Sequence, residues 1–144
     1  MEIIIVVFVI LSLIGSISFL KPSKKMKALS AIRHIASKEG FKIGSTQILR
    51  KKFKSWTPQV AIYQIKNDSS FKDMHFVREG NALILYAPMS LKYDKQFLVI
   101  QEKILLLPNS VLEIIFFQSN IAIVWNEMQG REELLKIKAA ILNI

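Results

Sequence analysis

The chain has no cysteine in 144 residues, which excludes a disulfide framework and any thiolate metal site. It has two histidines, His34 and His75, and five glycines, none adjacent to another. No P-loop, G-x-G-x-x-G, H-E-x-x-H or G-x-S-x-G pattern occurs, so no loop is written to cradle phosphate and no nucleophile is specified by spacing. His34 has no second ligand at metal spacing. Asp73-Met74-His75 sets an acid near an imidazole on one strand face, again without a nucleophile. The acids after residue 54 are scattered singly, so no carboxylate pair is indicated. The expectation is a non-enzyme with no catalytic residues, no cofactor and no metal, and with small-molecule chemistry unlooked for.

Two further scarcities are local. Residues 3–20 carry no charge at all, and residues 21–54 carry a single acid, Glu39, against eleven Lys/Arg. Residues 55–144 hold nine of each sign, so the net charge of +9 belongs to one segment. With 51% hydrophobic and 22% charged residues, the remainder has the composition of a folded domain.

The charge-free run IIIVVFVILSLIGSISFL reads as a membrane anchor. Eighteen helical residues rise about 27 Å, close to a hydrocarbon core of roughly 30 Å. A secretory signal is the competitor, with Ser16-Ile17-Ser18 as a small-x-small site, but signal peptides carry their positive charge before the apolar run, and here it follows. The positive-inside rule then predicts a single-pass protein of a bacterial inner membrane, N-terminus out and C-terminal domain cytoplasmic. Lys21, Lys24, Lys25, Lys27 and Arg33 are the expected contacts to anionic lipid. Ser12, Gly15 and Ser16 share part of one helical face, where small side chains let a partner helix approach.

After the anchor, Met26, Leu29, Ile32, Ile35 and Ala36 recur at helical spacing, with Ser23 as a cap and Gly40 as a stop. Strands are expected at 41–44, 60–65, 81–87 (NALILYA) and 96–101 (QFLVIQ). Val111 to Gln118 and Ile121 to Glu127, joined by Ser119-Asn120, read as a hairpin. Arg131 to Leu142 reads as a closing helix with Glu132 and Glu133 in its first turn. Trp56, Trp125, Phe116 and Phe117 read as core. The expected fold is α+β: one N-terminal transmembrane helix, a juxtamembrane helix, a mostly antiparallel sheet of about five strands and a C-terminal helix. The expected divisions are an anchor over 1–21, a basic amphipathic helix over 22–40 and a cytoplasmic α+β domain over 41–144.

Arg50, Lys51, Lys52, Phe53, Lys54 and Trp56 form a second basic cluster with aromatics beside it. Cations interleaved with rings are what single-stranded nucleic acid requires. This makes a membrane-tethered nucleic-acid module the alternative function.

The run Ser18-Phe19-Leu20-Lys21-Pro22-Ser23-Lys24-Lys25 resembles the membrane exit of the YajC family, small accessory subunits of the bacterial Sec translocon. The resemblance implies one N-terminal span, a small β-containing cytoplasmic domain and a non-catalytic role beside a translocation channel; it supplies no catalytic residues. It covers roughly residues 3–27. The family's glycine-rich stretch after the basic region is missing, with Phe41-Lys42-Ile43-Gly44-Ser45-Thr46 in its place, and the body is longer. The expected function is therefore an accessory or scaffold protein, translocation-related, whose domain binds a protein partner in a membrane complex.

Overall fold

The computed structural model describes residues 1–20, 23–44 and 46–144, without the side chains of 18–20. The described residues form five α-helices and a sheet of six strands. The helices are α1 (Glu2–Leu20), α2 (Lys24–Lys38), α3 (Gln47–Lys52), α4 (Lys95–Ile104) and α5 (Arg131–Leu142). The strands are β1 (Lys42–Ile43), β2 (Tyr63–Lys66), β3 (Met74–Glu79), β4 (Ala82–Ala87), β5 (Val111–Phe116) and β6 (Asn120–Trp125). They lie in the order β1-β2-β6-β5-β3-β4, every pairing antiparallel.

Strand alternation gives the sheet two apolar faces. Tyr63, Phe76, Ile114, Phe116, Ile123 and Trp125 face the larger core with Ile32 and Ala36 of α2, Ile100 and Ile104 of α4, and Leu134 and Ile137 of α5. Ile62, Ile115, Ala122 and Val124 face the other way, against Phe53, with Leu49, Trp56, Val60 and Phe117 around them. The first face is thus covered by helices and the second by the chain between β1 and β2, the layering of an α+β domain.

The hairpin 111–127 and the two amphipathic helices form as their local signals dictate. The Ser23 side chain caps α2 by accepting from the Met26 N–H, and Gly40 ends it at φ +93°, a conformation glycine takes without strain. QFLVIQ is corrected: it is helix, not strand. Asp94 caps it by accepting from the Gln96 N–H at 2.9 Å, and Ile100 and Ile104 are buried at a spacing of four. β3, passed over in the sequence, completes the sheet between β5 and β4.

The expected transmembrane helix is also corrected. α1 forms, but among the described residues no helix is long and apolar enough to cross a membrane. The transmembrane, single-pass assignment, its N-out orientation and the inner-membrane localisation, all of which rested on that span, lose their support.

The helical face carries most of the core. Ile137→Ala, at a fully buried site, is expected to lower unfolding free energy by about 2–5 kcal/mol. Leu105→Ala, on an exposed position, should change it by less than about 0.5 kcal/mol. Urea unfolding of the two variants beside the parent checks the layering, and equal losses would refute it.

Candidate functional site

Two buried carboxylates organise the body, one on each face of the sheet. Glu113 lies on β5, fully buried. A β-bulge between Val111 and Glu113 shifts the register, so that Val111 opposes Trp125 and Glu113 opposes Val124. The extra residue turns Glu113 away from the helices and onto the second face. There its carboxylate accepts from the Lys54 N–H at 2.9 and 3.0 Å and the Ser55 N–H at 2.9 Å. His75 Nε2 lies 2.7 Å from its other side. The imidazole stands edge-on to Phe53 and Tyr86, with centroids 6.4 and 5.0 Å away. Burial raises the Glu113 pKa, but the bonds from His75 and from the two backbone N–H groups outweigh it and hold the carboxyl below its ordinary value. It is therefore ionised at neutral pH, and His75 Nε2–H is the donor in their contact.

Glu127, just beyond β6, is the second node. Arg33 of α2 grips it with a fork, Nε to Oε2 at 2.9 Å and Nη2 to Oε1 at 3.0 Å. The Tyr63 hydroxyl donates to Oε2 at 2.6 Å. The bond to Glu127 raises the Arg33 guanidinium above its ordinary value. Burial, reinforced by Glu127, pushes the Tyr63 phenol well up as well. The Tyr63 ring meets Trp125 edge-on at 5.6 Å. Both carboxylates are thus occupied by internal donors, and what each does is fasten one element to the sheet.

The second basic cluster lies across the second face. Arg50 sits 4.9 Å over the Trp56 ring, Lys52 Nζ 4.9 Å over Phe117, and Lys54 Nζ 3.8 Å over Tyr86. These are cation–π contacts within the chain. Phe53 is buried and packs into the second core, so it is not a ring on which a base can stack. Lys51 is exposed. The structure brings the predicted nucleic-acid residues together, but with a cation already on each of three rings.

Of the expected lipid contacts, Lys24, Lys25 and Lys27 are exposed along the start of α2. Arg33 is committed to Glu127. Lys21 lies outside the described residues. On α1, Ser12 and Ser16 donate back to Phe8 and Ser12 carbonyls at 2.9 Å, and a side chain at Gly15 would meet no described group beyond the local helix backbone. His34 is exposed, and among the described residues no cluster of three or more potential metal ligands occurs.

Sequence reasoning missed Glu113, Glu127, Tyr63 and Tyr86. The available signal was the lone acid inside the apolar run VLEIIFF, since an unpaired charge in a buried strand demands partners. No protein-family model, no curated protein and no solved structure matches the chain.

Glu113 makes acid stability testable. Its unfolded carboxyl titrates near the ordinary value of 4.5 and the folded one lower. The folded state holds fewer protons in that range, so the contribution is full at neutral pH and is lost as pH falls through the folded value. Glu113→Gln should cost about 1–3 kcal/mol at pH 7. It should also flatten the decline of stability below pH 4.5. Parallel pH profiles for parent and variant, measured by urea unfolding, would contradict this role.

Proposed function

We propose that the protein is a non-enzymatic accessory or scaffold module that holds its α+β body at an anionic lipid surface and binds a protein partner there. The supporting observation is the surface of α1. Twelve large apolar side chains from Ile3 to Ile17 are exposed on it, with Ile3 at 79% and Phe8 at 71%. Each such side chain gains about 1.5–3 kcal/mol on leaving water, and a helix that is apolar on every side is one that works embedded in apolar surroundings. Crossing a membrane is no part of this reading.

Lys24, Lys25 and Lys27 follow in the chain, exposed and, among the described residues, without a carboxylate partner. Cations beside an apolar element match anionic headgroups. The saturation of Glu113 and Glu127 by internal donors supports a binding role over a catalytic one. The resemblance of residues 18–25 to the YajC family supports a translocation-related complex as the setting.

The test is competition of the full chain between vesicles of phosphatidylcholine and vesicles containing phosphatidylglycerol, separated by flotation. Enrichment on the anionic population is expected. Near-surface lysines contribute about 1 kcal/mol each, so changing Lys24, Lys25 and Lys27 together to Gln should reduce that enrichment up to about 100-fold at low salt. A chain left in the aqueous fraction, or equal partition between the vesicles, would refute the reading. Salt-dependent binding of RNA or DNA in place of vesicles would transfer the basic cluster to the alternative.

A further inference from the structure

The two edges of the sheet differ in their protection. β1 is two residues long and carries Lys42. β4, at the other end of the strand order, runs six residues, ALILYA, with no charge and no proline. Among the described residues no backbone of another segment bonds to its outer side. An edge of this kind is a template for a further strand. Gly80, at φ +60°, opens the two-residue turn Gly80-Asn81 between β3 and β4. Such a hairpin turn bonds its flanking residues, Glu79 and Ala82, to each other, and alternation then directs the N–H and C=O of Leu83 and Leu85 outward. The register shift opposite His75 and Phe76 makes Tyr86 the extra residue, so the regular edge ends there.

Leu83 and Leu85 face the helical core. Ile84 and Tyr86 project the other way, onto the second face, and are 42% and 45% exposed. Lys54 Nζ lies 3.8 Å over the Tyr86 ring, at one end of the edge. Glu79, paired with Ala82, stands on the same face at the other end. Both are exposed, and among the described residues neither forms an ion pair. The other charged groups of β3 are engaged, His75 with Glu113 and Arg78 with the Val111 and Pro108 carbonyls. The edge therefore has an apolar centre, a cation at one end and an acid at the other. Turned end for end, it is its own complement, as a twofold interface requires.

We propose that β4 pairs antiparallel with β4 of a second copy of this chain, about a twofold axis at Ile84, joining two six-stranded sheets into one. Leu83 and Leu85 of each copy exchange N–H to C=O bonds with Leu85 and Leu83 of the other, and the two Ile84 side chains meet. Tyr86 falls opposite Ala82 of the second copy. Lys54 faces Glu79 of that copy across two strand spacings, about 10 Å, which the two side chains span together. The pairing involves neither α1 nor α2 and stands apart from the lipid-surface reading.

The chain has no cysteine, so Ile84→Cys places one thiol per copy on the axis. Cα atoms across such a pair are about 4.5 Å apart, within disulfide reach. The full chain in detergent micelles, under mild oxidation, should give disulfide-linked dimers of Ile84→Cys. Leu105→Cys, exposed at the end of α4, should stay monomeric on denaturing gels. In sedimentation equilibrium of the same micelles, Glu79→Lys should weaken dimerisation roughly tenfold, and Glu79→Lys with Lys54→Glu should return it to within about twofold of the parent. If the double variant fails to fold, the cysteine pair and Glu79→Lys stand alone. Equal cross-linking of the two cysteine variants, a monomer under all conditions, or a dimer indifferent to Glu79→Lys overturns the proposal. So does a folded double variant that dimerises no better than Glu79→Lys.

Discussion

The contact on which the second face depends is the carboxylate of Glu113 against the backbone of Lys54 and Ser55. The segment from α3 to β2 has little regular structure, and its own apolar contribution to the second core centres on Phe53 and Ile62. Backbone N–H groups in such a segment need acceptors when buried. A carboxylate on β5 supplies several lone pairs at one point, and His75 of β3 supplies a donor from the other side. One ion thereby joins two strands and the covering loop. Removing a partner from such a node leaves an uncompensated buried charge, the costly way to break it.

Glu127 plays the corresponding part on the helical face, with a different division of labour. Its partners are side chains, Arg33 from α2 and Tyr63 from β2. The fork geometry fixes direction as well as distance. Tyr63 in turn sits between Phe41 and Trp125, edge-on to both. The position of α2 is therefore fixed from two sides, by Ile32 and Ala36 in the core and by Arg33 at its rim. Arg33 reads in sequence as one more cation of the basic segment, yet its charge is spent inside the molecule.

Much of the fold was legible because it rests on local signals. The 111–127 hairpin, the capped helix after Ser23 and the helix after Gly130 each carry their pattern within a dozen residues. α4 was not legible, because Phe97-Leu98-Val99-Ile100 suits either a strand or a helix and the decision rests with the Asp94 cap and the burial of Ile100 and Ile104. β3 was not legible either. Its polar positions, His75 and Arg78, find their partners on residues far along the chain, Glu113 and the carbonyls of Pro108 and Val111. The site suffered from the same non-locality. Alternation counted from Val111 puts Glu113 among the helices, and only the bulge, which appears when β5 pairs with β6, turns it to the other face. The basic 50–54 cluster was visible as charge, but the rings beneath it come from Trp56, Tyr86 and Phe117, and two of those three are more than 30 residues distant.

The two nodes also decide what the exposed lysines can do. A cationic stretch on a flexible tether attracts an anionic surface but leaves the attached body free to turn, because each contact is made at the expense of chain entropy alone. Lys24, Lys25 and Lys27 instead occupy the first turns of a helix packed into the core and tied by Arg33 to Glu127. Their positions are set relative to the sheet. A surface that attracts them therefore orients the body as well as holding it, and the same face of the body is presented to the surroundings each time. That fixed placement follows from the Arg33–Glu127–Tyr63 network rather than from the number of positive charges.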